Sequence, residues 1–136
     1  MEGNSNTHQR WSWIDTYSSC WFAWNGYLRI IKYFHEHGAD IHAQDLHGQT
    51  GLYKAAQGGN FPIVQYLVDN GVNVNVRDNY GWSALRSAKR RAGKPEYDAI
   101  IAYLLAVLHN QNKKNSFLFI LVVFIWHVLL SWQFLA

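Results

Sequence analysis

An all-α repeat solenoid with β-hairpin loops, followed by one long apolar helix, is the fold class this sequence predicts, and three observations predict it. Positions recur at a fixed offset of 33: Asp45, Gly48, Leu52 and Ala55 return as Asp78, Gly81, Leu85 and Ala88, while Ile30, Tyr33, Phe34 and Gly38 return as Ile63, Tyr66, Leu67 and Gly71. Self-similarity at such a period marks stacked supersecondary units, here about two and a half copies. Within a copy, apolar residues fall three and four apart in two short runs, as they do along one face of a helix. After Ser116 the chain changes to "FLFILVVFIWHVLLSWQFLA", apolar on every side.

The chain has 136 residues, enough for one compact unit and an appendage. Its start, "MEGNSNTHQRWSWIDTYSSC", holds no apolar run of signal-peptide length, so amino-terminal secretion is not expected. Residues 1–24 read as a Trp-rich leader or a degenerate cap. In "TYSSCWFAWNG", Trp21, Phe22 and Trp24 stand where a clean first helix would carry small residues. Trp11, Trp13, Trp21 and Trp24 are then expected to cover the open layer at that end of the stack, unless they are filler in a decayed copy.

The repeats proper are expected over residues 25–110. In the second copy Thr50 supplies an oxygen to cap a short helix whose Leu52, Ala55 and Ala56 share a face. Gly58-Gly59-Asn60 breaks it, and Pro62 falls in the first turn of the next helix, where its missing N–H is harmless. Ile63, Val64, Tyr66 and Leu67 form the second apolar stripe, and Asn70-Gly71 stops it, since glycine accepts positive φ at no steric cost. "VNVNVRDNYG" then alternates Val72, Val74 and Val76 before an Asp-Asn-Tyr-Gly turn, which reads as a hairpin. The third copy repeats the cap at Ser83. Its second helix is displaced by four residues, because Ile63 maps to Ile100, so "KRRAGKPEYD" forms a longer basic loop.

These units resemble the ankyrin repeat. The segments "GQTGLYKAAQGGNFPIVQYLVDNGVNVNVRD", "LRIIKYFHEHGADIHAQD" and "GWSALRSA…IIAYLLA" carry the resemblance, over about residues 17 to 108. The helix-opening Thr-Pro-Leu-His of the family is Thr50-Gly51-Leu52-Tyr53 in one copy and Ser83-Ala84-Leu85-Arg86 in the next, both without the proline and the histidine. The resemblance implies stacked helix pairs and a protein-binding face built from hairpin tips and the exposed side of the first helices. Carried onto matching positions, that nominates Gln44, Leu46, His47, Gln49, Gln57, Arg77, Asn79, Tyr80, Trp82, Arg90 and Arg91 as partner-binding. Tyr80 and Trp82 beside arginines have the enrichment typical of interface hot spots.

Catalytic and cofactor chemistry is not expected. His35 and His37 are two apart on a helix and diverge, unlike the four-residue spacing that puts two metal ligands on one face. Cys20 is the only cysteine, so no intramolecular disulfide or multi-cysteine metal site is available, and a reducing cytosolic setting fits. Gly58-Gly59 lacks the lysine and hydroxyl of a phosphate loop. The formal net charge of +3 does not call for nucleic acid, which would want a long basic face interleaved with aromatics. The "KRRAGK" loop suits an acidic partner or anionic lipid, or is simply solvated.

The tail follows a short polar linker, residues 111–116. Of the 19 residues from 117 to 135, 16 are apolar, and at a 1.5 Å rise they reach ~28 Å, about one hydrocarbon thickness. Lys113 and Lys114 precede the segment and no charge follows it, so the expected layout is a tail anchor that spans the membrane once and contacts its lipid, with the repeats cytosolic. The functional expectation is a membrane-tethered interaction adaptor, not an enzyme. The alternatives are a fragment or decayed copy of a larger ankyrin protein, and a soluble protein whose last helix caps the repeats.

Overall fold

The computed structural model describes residues 20–134. Residues 20–25 are helical (α1), and α2 (Leu28–Glu36), α3 (Gly51–Gly58), α4 (Phe61–Asp69), α5 (Ala84–Lys89) and α6 (Pro95–Phe134) follow. The chain divides into two units, one ending at Leu104 and the other beginning at Leu105.

The first unit is built as the sequence pattern requires. Thr50 Oγ1 accepts the Tyr53 N–H at 3.2 Å and Ser83 Oγ accepts the Arg86 N–H at 3.3 Å, so both predicted caps satisfy a donor that the helix itself leaves open. Gly59 adopts φ +75° and ends α3, and Pro62 sits in the first turn of α4. α3 packs against both α4 and α5. Its Leu52, Ala55 and Ala56 are buried, with Ile63, Val64 and Leu67 of α4, Ala84 and Ala88 of α5, and Ile100 and Leu104 of α6. Alanines on α3 and α5 make thin helices, which is what lets neighbouring copies approach closely.

Second helices are tied by tyrosines at matching positions. The Tyr66 hydroxyl hydrogen-bonds His35 Nδ1 at 2.7 Å, and the Tyr103 hydroxyl, one copy later, donates to Asp69 Oδ1 at 3.4 Å. First helices are tied through their terminal carbonyls. Asn60 Nδ2 donates to the Ala23 and Trp24 carbonyls at 2.8 and 2.5 Å. The carbonyl one period after Trp24 belongs to Gln57, and there the donor is the Tyr97 hydroxyl at 3.3 Å, itself accepting from Arg91 Nη1 at 2.9 Å. At the counterpart of Asn60 in the third copy, 37 residues on, a buried tyrosine thus replaces the asparagine latch.

Several expectations are corrected. Among the described residues there is no strand: each expected hairpin is a tight turn closed by one antiparallel bridge, Gln44 with Thr50 and Arg77 with Ser83. Val72 and Val74 are buried while Val76 is half-buried, so the valines pack individually and form no ladder. Leu85 is half-buried although its counterpart Leu52 is fully buried, because the last copy lacks a following first helix to cover it. Trp21 and Trp24 are 54% and 48% exposed; the residues of α1 that enter the core are Cys20 and Ala23. Trp11 and Trp13 lie outside the described residues. Residues 111–116 lie within the helical range Pro95–Phe134.

In the second unit, every residue from 109 to 133 is exposed, including Phe117, Phe119, Phe124, Trp126 and Trp132. α6 is long and apolar enough to cross a membrane by length and composition.

Candidate interaction surface

The two turns are built identically. Asp45 Oδ1 accepts the N–H groups of His47 and Gln49, both at 2.9 Å, and Asp78 Oδ1 accepts those of Tyr80 and Trp82 at 2.9 and 2.8 Å. A side chain one position before each aspartate braces the turn from outside: Gln44 Nε2 donates to the Gly48 carbonyl and Arg77 Nη1 to the Gly81 carbonyl, each at 2.9 Å. The turns then stack. Asn79 N–H donates to the His47 carbonyl at 2.9 Å, Asn79 Nδ2 to the Leu46 carbonyl at 3.1 Å, and Gln49 Nε2 to Asp78 Oδ2 at 3.3 Å. Stacking leaves Leu46 and Tyr80, the residues at the tips, 70% and 73% exposed.

The glycines of the two turns separate stacking from backbone strain. Gly48 and Gly81 have φ of +75° and +78°, but a Cβ on Gly48 would come within 2.6 Å of Asn79 Oδ1 and 3.1 Å of its backbone N, whereas one on Gly81 would meet nothing. Gly81→Ala is expected to cost about 1–2 kcal/mol from the left-handed backbone alone. Gly48→Ala should cost clearly more in urea unfolding; equal losses would mean that the turns do not stack.

Asp78 is buried. Burial pushes its pKa up, but the N–H groups of Trp82 and Tyr80, the Gln49 amide and the Tyr53 hydroxyl beside it outweigh that and hold the carboxyl below its ordinary value. A depressed folded-state pKa gives stability that is fully present above the unfolded value, about 3.9, and is lost as pH falls through the folded one. Asp78→Asn keeps one acceptor oxygen and removes the titration. It should flatten the fall in urea midpoint on acidification, and an unchanged acid slope would contradict this role.

On the first-helix side, Lys54 Nζ lies 6.0 Å over the Trp24 ring and 3.8 Å from Asp45 Oδ2. The guanidinium carbons of Arg86 and Arg90 lie 4.5 and 4.7 Å from the centre of the half-buried Trp82 ring. Of the nominated residues, Gln44, Leu46, His47, Arg77, Asn79, Tyr80, Arg90 and Arg91 are exposed, and Gln49 and Trp82 are half-buried. Gln44, Gln49, Arg77 and Asn79 spend hydrogen bonds on the turns, Gln57 is half-buried, and Arg91 turns to Tyr97. Sequence reasoning missed Arg86. Part of the signal was there: Arg86 and Arg90 are four apart, the spacing of neighbours on a helix face, with Arg86 in α5 and Arg90 its C-cap. Cys20 is buried, and burial pushes its thiol up to about 11, so it is a neutral core group at ordinary pH.

Stacked helix pairs whose turns project side by side and whose exposed groups cluster on those turns define an interaction scaffold. The chain belongs to the ankyrin-repeat family: the family model for ankyrin repeats (3 copies) matches residues 20–116. No curated protein matches the chain. The match begins at Cys20 and so takes in α1.

Proposed function

We propose that the chain is a protein-binding adaptor whose repeats are held at a membrane. In this reading residues 25–110 present the binding face on the cytosolic side, preceded by a cap in residues 1–24. Residues 111–116 carry the polarity change, and residues 117–136 hold a single span in contact with lipid. The partner-binding residues are Leu46, His47, Tyr80, Trp82 and Arg90, with Gln44, Gln49, Gln57, Arg77, Asn79 and Arg91 shaping the surface around them. No catalytic step or cofactor is part of the function.

The observation that carries this reading is a run of exposed, almost wholly apolar residues from 117 to 133, joined in one chain to ankyrin repeats. Contiguous apolar surface on that scale calls for lipid or a partner to remove it from water. Residues 117–135 include 14 of Leu, Ile, Val or Phe, worth roughly −4 to −8 kcal/mol of insertion, against about 3 for His127 even priced as a charge. Confinement also serves binding, because a weak binder held near its target gains effective concentration without a new contact.

Proximity labelling in cells tests the binding face. Substituting Tyr80, Trp82 and Arg90 together with Ala should remove the labelled partners while the protein stays with membranes. An unchanged partner list would mean that the face is elsewhere, and no partner above background would favour a decayed copy.

A further inference from the structure

We propose that the last repeat docks a carboxylate-rich segment of a partner protein on Trp82 and the guanidinium pair of Arg86 and Arg90. The proposal rests on the protein-binding reading above and adds the chemistry of what is bound. Residues 77–94 contain six cations, Arg77, Arg86, Lys89, Arg90, Arg91 and Lys94, and one carboxylate, Asp78. The net charge of the whole chain is only +3, so the excess basic charge is concentrated here. Asp78 gives the cations no relief, since it is buried and its oxygens are taken by Tyr80, Trp82 and Gln49. Among the described residues the one ion pair is Lys54 with Asp45, in the preceding repeat.

The pair is held open for a ligand. Arg77 and Arg91 donate to protein acceptors, whereas Arg86 and Arg90 make no side-chain hydrogen bond among the described residues. Two like charges are gathered on one indole, whose ring offsets part of their repulsion. A guanidinium near an aromatic ring and without a protein acceptor still has its N–H fork to offer, and that fork matches a carboxylate in bidentate fashion. The corresponding positions of the preceding repeat hold Tyr53, which is buried, and Gln57, so the arrangement is particular to this copy. Exposed Tyr80 on the neighbouring tip supplies an aromatic contact. A peptide bearing alternate carboxylates and apolar groups uses all of these. Single-stranded nucleic acid wants a succession of stacking aromatics along a groove, and a lipid surface reads charge without regard to the planar fork.

The test is binding of a fluorescein-labelled Glu/Leu peptide to the full chain in neutral detergent at low salt. Arg86→Gln with Arg90→Gln should weaken binding about tenfold or more. Arg86→Lys with Arg90→Lys keeps the charge and should still lose affinity measurably, which also guards against a folding defect in the glutamine pair. Arg29→Gln with Lys32→Gln removes the same charge elsewhere and should leave binding unchanged. Equal affinity across all of these overturns the proposal. So does Arg86- and Arg90-dependent binding to phosphatidylserine vesicles or duplex DNA without binding to the peptide. Loss of labelled partners in the Tyr80, Trp82 and Arg90 variant, with no peptide binding, would refute the acidic chemistry and leave the binding face standing.

Discussion

Leu67→Ala is expected to lower the stability of the repeats by about 2–5 kcal/mol, the usual cost of a buried large-to-small change. Leu67 is buried on α4 and meets α3, its Cδ1 lying 3.7 Å from where a Cβ on Gly51 would be. Such a loss is comparable with the whole stability of many small domains, about 5–15 kcal/mol. Three repeats are near the minimum for a stable stack, so the variant should unfold at markedly lower urea or not fold at all. Leu85→Ala should cost much less, because Leu85 is half-buried at the end of the array. Urea melts followed by circular dichroism compare the two; similar small effects would contradict the packing.

Removing residues 117–136 is expected to convert a protein that resists alkaline carbonate extraction into one that is fully extracted. The change should be close to all-or-none, since the segment carries the apolar surface that favours lipid and the remaining chain has no comparable run. The shortened protein should keep the circular dichroism of folded helices. Full extraction of the intact chain would point to a soluble protein whose last helix is covered by a partner.

The sequence made some elements legible and hid others for identifiable reasons. The 33-residue period exposed the caps at Thr50 and Ser83, the break at Gly59 and the buried stripe of Ile63, Val64 and Leu67, because each depends on local chemistry repeated in register. Strand content was overread, since alternating Val72, Val74 and Val76 mimic a ladder when single valines pack on a loop. Leu85 recurs with the buried Leu52 yet is half-buried, and a periodic pattern cannot say which copy is last. At the surface, Trp82 and Arg90 were legible from the resemblance, whereas Arg86 stands at the family's histidine position and so read as a departure from the motif. The Tyr97 latch was not legible, because a tyrosine at the counterpart of Asn60 reads as an apolar position, and the partner of its hydroxyl is set by packing between copies.

The orientation of the chain across a membrane is the most direct test of a cytosolic face held by a single span. Glycosylation acceptors placed beyond Ala136 and, separately, near Asn4 report the side each end occupies in microsomes. The account predicts modification of the first and not of the second. Modification only near Asn4, or at neither place, would contradict it.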